Sequence, residues 1–168
     1  MKKYNIERLN KSHDKAGFNC GEDSLNQYFY TQTSQDIKRS LTAIYVLSEG
    51  EQSAILGFYT LSASALSLID LPEDISKRLP RYPSLPVTLL GRLAVDIHCQ
   101  KQGLGEVLLI DALKRADLLS NDIGSMAVVV DALNKNAIHF YEKFGFTKFK
   151  NENKLFLTMK TIKKLNLC

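Results

Sequence analysis

The chain has 168 residues, within the usual size of one domain, about 100–200 residues. Hydrophobic residues make up 45% and charged residues 24%, ordinary proportions for a soluble globular protein with a core. No apolar run follows the N-terminal lysines, and none approaches the roughly 20 residues that a membrane-spanning helix requires. We therefore expect a cytoplasmic protein with no signal peptide and no membrane partner. The net charge of +4 is compatible with a polyanionic partner.

The first half of the chain predicts two separate strand regions around one helix. Residues 4–9 form a short strand, and a turn-and-cap signal at residues 18–24 leads into a helix. Leu25, Tyr28 and Phe29 give that helix one apolar face. The apolar runs at residues 43–47 and 54–61 stand at hairpin distance and predict two antiparallel central strands.

The second half predicts alternating strands and helices. Residues 70–86 carry all four prolines and predict a loop with one helical turn at residues 73–79. A strand follows at residues 87–95, and Gly91-Arg92 within it is compatible with a bulge. The remaining predicted elements are a helix at 103–119, a buried strand at 126–130, a helix ending at Gly145, and a hairpin at 146–149 and 155–159. This order predicts one α/β domain over residues 1–168, with a mixed sheet and helices on both faces.

Cysteine and histidine spacing indicates neither a disulfide framework nor a metal site. The three cysteines, Cys20, Cys99 and Cys168, are widely spaced and odd in number. The chain has no CxxC motif and only three histidines, so no metal-ligand spacing is present. His98 and Cys99 are adjacent, but neighbours along a chain rarely face each other productively. We expect no metal and no thiol chemistry.

The most informative segment is residues 95–106, between a predicted strand and a predicted long helix. Gly103 and Gly105 at the helix start leave backbone N–H groups uncovered, which favours a diphosphate site together with the helix dipole. A simple glycine-rich helix entry is the alternative. A dinucleotide fingerprint requires a third glycine where Leu108 stands, and the Gly-Lys-Ser/Thr of a P-loop is absent.

Gln100-x-x-Gly103-x-Gly105 resembles the acetyl-coenzyme A signature of the GNAT superfamily of N-acetyltransferases. The resemblance implies a mixed, mostly antiparallel central sheet that is splayed at a bulged strand. It implies that backbone groups of Leu93, Ala94 and Val95 hold the pantetheine arm and the thioester carbonyl of acetyl-CoA. The residues that it implies for the pyrophosphate are Gln100, Lys101, Gln102, Gly103, Leu104, Gly105 and Glu106.

A second segment, residues 134–146, resembles the GNAT pattern Asn-x-x-Ala-x-x-Phe-Tyr-x-x-x-Gly-Phe. The resemblance implies that Asn134 contacts the pantetheine and that Tyr141 is the general acid for the departing coenzyme thiolate. A phenol with a pKa of about 10 suits that role because it is protonated at neutral pH. The alternative is a tyrosine that only packs on an amphipathic helix. His139 points to another side of that helix and is expected at the surface.

No buried carboxylate base is evident from the sequence. Asp96 and Glu22 are candidates with little to separate them from solvated charges. An α-amino group has a pKa near 8 and would need only water to take its proton. This favours direct attack in a ternary complex rather than a covalent enzyme intermediate.

Three further segments narrow the resemblance to one GNAT branch, the tRNA-acetylating toxins of toxin–antitoxin pairs. They are residues 18–28, residues 56–62, and residues 90–96 with the preceding Tyr82-Pro83. The branch implies acetylation of the α-amino group of aminoacyl-tRNA, a ribbon-helix-helix antitoxin and a homodimer. The alternatives are a GNAT that acetylates a small-molecule amine or a protein N-terminus, and a non-catalytic CoA-binding module.

Basic residues are candidates for contacts with RNA phosphates. Arg78, Arg81 and Arg92 are the main ones, with Lys38-Arg39 and Lys114-Arg115 in addition. For each of them a solvated surface charge is the favoured interpretation, except for Arg92, which lies in the branch-specific segment. A net charge of +4 is modest for an RNA-binding enzyme, so these basic residues must be concentrated in one patch in order to bind RNA.

Overall fold

The computed structural model describes residues 2–150 and 153–167. Its strands are β1 Tyr4–Arg8, β2 Ala43–Glu49, β3 Gly57–Leu66, β4 Leu85–Val95, β5 Ala127–Asp131, β6 Thr147–Lys148 and β7 Lys154–Thr158. Its α-helices are α1 Asp23–Thr31, α2 Thr33–Lys38, α3 Glu73–Ser76, α4 Leu104–Leu119, α5 Lys135–Lys143 and α6 Met159–Lys164. Short 3₁₀ turns lie at Leu68–Asp70 and Ile97–Cys99.

The strands form a seven-stranded sheet in the order β1-β2-β3-β4-β5-β7-β6. The pairs β1–β2, β2–β3, β5–β7 and β6–β7 are antiparallel, and β4–β5 is parallel. The predicted hairpin is confirmed, with Ala43 opposite Leu61. The predicted mixed, mostly antiparallel sheet is therefore confirmed, whereas the placement of helices on both faces stays a prediction.

Strand β4 is longer than its parallel pairing with β5. It has 11 residues, and its register with β5 runs from Thr88 opposite Val128 to Leu90 opposite Val130. Beyond Leu90 the strand continues to Val95. It passes through Gly91 and Arg92 as one element, so the predicted bulge stays a prediction.

The chain divides into two compact units. The first comprises the described residues up to Ser62 together with Arg92–Ala112, and the second comprises Ala63–Gly91 and the described residues from Leu113 onward. In the core of the first unit, Phe18, Phe29 and Phe58 contact one another with ring centroids 4.3–5.4 Å apart. The core of the second unit includes Phe149 and Phe156, 5.3 Å apart. A single domain over residues 1–168 stays a prediction.

Sequence patterns missed two short helices. Helix α2 has six residues, too few to show helical periodicity, and it buries Thr33, whose hydroxyl donates to the Phe29 carbonyl. Helix α6 follows β7 directly, although the predicted strand ran on to Met159. Thr158 caps α6 by accepting from the Thr161 N–H, and the helix buries Met159 and Ile162 three residues apart.

Candidate active site

The turn before α4 has an unusual backbone. Lys101 and Gly103 both adopt left-handed conformations, with φ of 63° and 80°, and α4 begins at Leu104. A Cβ at Gly103 would meet no atom within 4 Å. Glycine is therefore favoured here by its positive φ and not by crowding from neighbouring atoms. The first backbone N–H groups of α4 have no intrahelical partners, so this end of the helix can bind an anion.

The side chain of Gln100 stabilises this turn through hydrogen bonds. Its Nε2 atom donates hydrogen bonds to the carbonyls of Cys20 and Val95, both at 3.0 Å. The signature glutamine therefore connects the turn to the end of β4 and to the loop before α1. Among the predicted pyrophosphate residues, Gln100 has its side-chain amide directed at the protein's own backbone.

Asp96 is a structural residue of the same turn. It is buried, its Oδ1 accepts from the His98 N–H at 2.9 Å, and its Oδ2 accepts from the Asn19 N–H at 3.0 Å. Ile97 donates its N–H to the Asn19 carbonyl at 2.8 Å. Both carboxylate oxygens are thus engaged with backbone groups, which favours a positioning role over that of catalytic base. Glu22, the other candidate base, is exposed at the N-terminus of α1.

Two asparagines complete this network, and sequence reasoning assigned a role to neither. The Asn19 side-chain oxygen accepts from the Gly21 N–H at 2.9 Å and from Asn26 Nδ2 at 2.8 Å. The Asn26 oxygen in turn accepts from the Cys20 N–H at 3.0 Å. Gly21 has a φ of 89°, which explains the glycine in this tight loop. The signal that could have found the network is a pair of asparagines flanking a Cys-Gly turn.

Gly57 allows close packing at the end of β4. A Cβ at this position would lie 2.8 Å from Leu108 Cδ1 and 2.9 Å from the Ala94 carbonyl oxygen. Asp96 also donates its N–H to the Leu56 carbonyl at 2.8 Å. Ala94 is buried, and its neighbours Leu93 and Val95 are half-buried. The strand segment predicted to hold the thioester is therefore fixed by β3 and α4.

Arg92 lies on an aromatic platform. Its guanidinium carbon is 3.4 Å from the ring centroid of Tyr28 on α1, and the Tyr28 hydroxyl donates to Asp36 Oδ2 at 2.8 Å. Burial, followed by the Asp36 hydrogen bond, raises the pKa of Tyr28 to about 12, although the Arg92 charge opposes the shift. The tyrosine is therefore neutral at physiological pH.

Tyr141 belongs to the second unit and packs on α5 in an aromatic cluster. Its ring centroid is 5.2 Å from that of Phe140 and 5.4 Å from that of Phe146. Burial, with a smaller contribution from the Asp131 carboxylate, raises the pKa of Tyr141 above the ordinary value. No described residue forms a hydrogen bond with its hydroxyl, and no side-chain oxygen in the described chain is both fully buried and unpaired. The ring is buried, and its hydroxyl, with no hydrogen-bond partner in the described residues, is left for a bound ligand.

The other predicted residues of the second unit are placed as follows. Asn134 is the N-cap of α5, and its Oδ1 accepts from the Ala137 N–H at 3.0 Å, which leaves the Nδ2 group as a donor. His139 is exposed, as expected. Arg78 and Arg81 are exposed in the region between α3 and β4, and Arg78 lines an open groove of about 520 Å³ with Lys160.

The described thiols are poor nucleophiles. Burial raises the pKa of both Cys20 and Cys99, which disfavours the thiolate. Cys168 lies outside the described residues. Within residues 2–150 and 153–167, no group of three or more His, Cys, Asp or Glu side chains could hold a metal ion. None of the helices in those ranges is long and apolar enough to cross a bilayer.

The chain matches known proteins over most of its length. Residues 40–148 match the model of the acetyltransferase (GNAT) domain. A tRNA-acetylating toxin of Mycobacterium tuberculosis is 32% identical over 139 residues, which is 83% of this chain and 81% of the relative.

Two solved structures share the fold of the whole chain. AtaT complexed with acetyl-methionyl-tRNAfMet superposes with a TM-score of 0.88 at 32% identity, covering 97% of this chain and 99% of AtaT. A tyrosine-to-phenylalanine mutant of AtaT, bound to the C-terminus of the antitoxin AtaR and to acetyl-CoA, superposes with a TM-score of 0.82 at 30% identity, covering 98% of each chain. Sequence and fold together place this chain in the GNAT family of N-acetyltransferases.

Proposed function

We propose that this GNAT enzyme transfers the acetyl group of acetyl-CoA to the α-amino group of an aminoacyl-tRNA and acts as the toxin of a toxin–antitoxin pair. The observation that carries the proposal is the similarity, along nearly the whole chain, to a toxin solved with an acetylated aminoacyl-tRNA. The similarity to the mycobacterial tRNA-acetylating toxin supports the same substrate class. Residues 18–28 and 90–96, two of the branch-specific segments, supply the network around Asn19 and the platform under Arg92.

In this proposal the first unit binds the donor through its backbone. The N–H groups at residues 101–106 hold the pyrophosphate, and the backbone at residues 93–95 holds the pantetheine and the thioester carbonyl. The left-handed turn at Lys101 and Gly103 supports this assignment because it leaves the backbone uncovered. Gln102 and Glu106 are exposed, whereas Leu104 between them is buried and Gly105 is half-buried. The Nδ2 donor of Asn134 is assigned to the pantetheine.

The proposed reaction is direct attack within a ternary complex. The neutral α-amine attacks the thioester carbonyl carbon, the new C–N bond replaces the C–S bond, and the Tyr141 hydroxyl gives its proton to the leaving sulfur. Water takes the proton that the amine loses, because an α-amino group titrates near pH 8, and solvent returns a proton to the Tyr141 phenolate. The unpaired hydroxyl on a buried, rigid ring supports Tyr141 as the acid. Arg92, Arg78 and Arg81 are assigned to the RNA.

The proposed partners follow the same branch. We assign a ribbon-helix-helix antitoxin, a homodimeric state and a cytoplasmic location to this protein. The complex of AtaT with the C-terminus of AtaR supports a protein antitoxin.

The test is transfer of radiolabelled acetyl from acetyl-CoA to total charged tRNA, beside the same tRNA stripped of its amino acids. Label on charged tRNA alone is expected and would assign the α-amino group. Label on neither, from protein that binds acetyl-CoA, would overturn the proposal. The search would then turn to small amines and protein N-termini, and absence of turnover on every amine would leave a CoA-binding module.

A further inference from the structure

Tyr28 is held more rigidly than packing alone requires. Its side chain is 8% exposed and belongs to the core cluster of the first unit. The hydroxyl donates to Asp36 Oδ2 at 2.8 Å. With the ring buried and the hydroxyl bonded to Asp36, the ring plane is fixed. Arg92 lies on that plane with its guanidinium carbon 3.4 Å from the centroid, so the guanidinium is fixed as well.

The arginine retains unused binding capacity. Among the described residues, no carboxylate forms an ion pair with Arg92 and no acceptor takes a hydrogen bond from its guanidinium. No side-chain nitrogen in those residues is both fully buried and unpaired, so the N–H groups of Arg92 reach solvent. One face of the guanidinium is occupied by the Tyr28 ring. The N–H edge remains, and this planar fork is the geometry that binds a phosphate with two parallel hydrogen bonds.

The position of Arg92 indicates which phosphate it meets. Side chains alternate along a strand, so Arg92 and Ala94 share a face of β4, and Ala94 packs in the same cluster as Tyr28. Arg92 precedes the proposed thioester-binding residues 93–95 by one to three positions, which is about 3–10 Å along a strand. The turn assigned to the donor pyrophosphate lies beyond the other end of that segment. The anion at Arg92 is therefore expected to belong to the acceptor and to lie close to the reacting amine.

We propose that Tyr28, fixed by Asp36, is a positioning residue that orients Arg92 to bind the phosphodiester next to the aminoacylated 3′ nucleotide of tRNA. This inference rests on the proposed function and names how the same site recognises its acceptor. The RNA end is single-stranded, and its phosphate is the charged group nearest to the amino acid. Arg92 makes the contact, and Tyr28 and Asp36 act through it.

A second arginine–tyrosine pair in the same unit provides a matched control. Arg8 lies over Tyr45, but its guanidinium carbon is 5.5 Å from the ring centroid and its side chain is exposed on β1. The charge and the aromatic partner are alike, whereas the close stacking and the neighbourhood of residues 93–95 are missing. Arg8→Gln therefore measures the effect of removing one positive charge from the protein.

The experiment compares Arg92→Gln, Tyr28→Leu, Tyr28→Phe and Arg8→Gln by steady-state acetylation of charged tRNA. Arg92→Gln is expected to raise KM for aminoacyl-tRNA about tenfold, because a hydrogen-bonded charge contact is lost. KM for acetyl-CoA and kcat at saturating tRNA should stay close to those of the parent. The slope of log KM against log salt should fall by about 0.7, as for one phosphate contact to a single strand.

The substitutions at Tyr28 provide the decisive comparison. Tyr28→Leu removes the stacking surface and is expected to shift KM and the salt slope in the same direction as Arg92→Gln. Tyr28→Phe keeps the ring and should restore most of the affinity, with a residual defect from the lost Asp36 bond. In the Arg92→Gln background, Tyr28→Leu should add little, because the two residues act as one unit.

Three outcomes would overturn the inference. They are an unchanged KM for aminoacyl-tRNA in Arg92→Gln, an equal effect of Arg8→Gln, and fully additive effects of Arg92→Gln and Tyr28→Leu. A thermal midpoint and an acetyl-CoA affinity that match those of the parent will show that Tyr28→Phe is folded. The inference therefore stays testable even if Tyr28→Leu has a folding defect. If the parent enzyme fails to acetylate any charged tRNA, the proposed function itself is wrong. That outcome is distinguishable from a failure of the inference about Tyr28 and Arg92, in which the parent acetylates charged tRNA.

Discussion

The two units supply their proposed functional groups in different ways. In the first unit, backbone N–H groups of a left-handed turn are presented by a network of side chains that bond to the backbone, among them Gln100, Asp96 and Asn19. In the second unit, one side-chain hydroxyl on Tyr141 is presented by α5, and the ring that carries it contacts the rings of Phe140 and Phe146. Substitutions in the first unit should therefore change donor affinity and stability together, whereas removal of one atom in the second should change catalysis alone.

The largest expected effect is that of Tyr141→Phe. It removes the proposed acid while keeping the ring, so kcat should fall about 10²–10³-fold with little change in thermal stability or acetyl-CoA affinity. Acetyl transfer to charged tRNA measures kcat, and calorimetric titration measures affinity. Tyr4→Phe, a loss of a hydroxyl on β1, is the control and should retain parental kcat. Parental kcat in Tyr141→Phe would remove Tyr141 from the mechanism.

The raised pKa of Tyr141 adds a pH dependence to this prediction. The folded pKa lies above the unfolded one, so the tyrosine stays neutral as pH approaches its ordinary value of about 10. Its contribution to stability is present below that pH and is lost as pH rises towards the folded pKa. We expect no alkaline fall of kcat from Tyr141 below about pH 10. A falling limb centred near pH 8 in the parent, absent in Tyr141→Phe, would contradict the shift.

The next largest effect is expected from Gly103→Ala. The added Cβ strains a left-handed residue and covers the backbone at the proposed pyrophosphate, so KM for acetyl-CoA should rise about tenfold and stability should fall by about 1 kcal/mol. Gly50→Ala introduces the same strain at φ 62°, away from the turn, and Gly124→Ala adds a methyl group in open space without strain. If Gly50→Ala raises KM equally, strain and not ligand contact explains the result.

Asp96→Ala should separate positioning from base catalysis. Loss of two buried acceptors should lower the free energy of unfolding by about 1–3 kcal/mol, as measured in urea. Asp96→Asn keeps one acceptor oxygen and should be less destabilised, with kcat near that of the parent at a temperature where it is folded. A stable Asp96→Asn variant with a kcat reduced about a hundredfold would instead identify Asp96 as the base.

The smallest effect on activity in this series is that of Gly57→Ala, which should change stability. The Cβ would overlap the Ala94 carbonyl and Leu108, so the free energy of unfolding should fall by about 1–3 kcal/mol with kcat of the folded enzyme nearly unchanged. Gly124→Ala is again the control. A fully stable Gly57→Ala protein would show that β3 can move away from β4 at no cost.

Much of the fold was predictable because its signals are local. Hydrophobic runs predicted the strands of the β2–β3 hairpin, and the periodic apolar residues from Ala137 to Phe144 predicted α5. Helices α2 and α6 were missed because six residues are too few for a periodic pattern. The strand order was only partly predictable, since the insertion of β7 between β5 and β6 depends on pairing over long sequence distances.

The sequence by itself identified the family and predicted the phosphate-binding turn and the tyrosine, because each depends on residue types at fixed spacing. The roles of the turn and of Tyr141 stay predictions. The tertiary structure alone decided which groups the polar side chains of the first unit contact. The sequence predicted Asp96 as a candidate base and Gln100 as a residue of the pyrophosphate turn, and both roles stay predictions. Only folding brings residues 19–26 beside them and engages both side chains with backbone groups. The stacking of Arg92 on Tyr28 joins residues 64 positions apart. Such contacts produce no periodic pattern in a sequence because they form only when the chain folds.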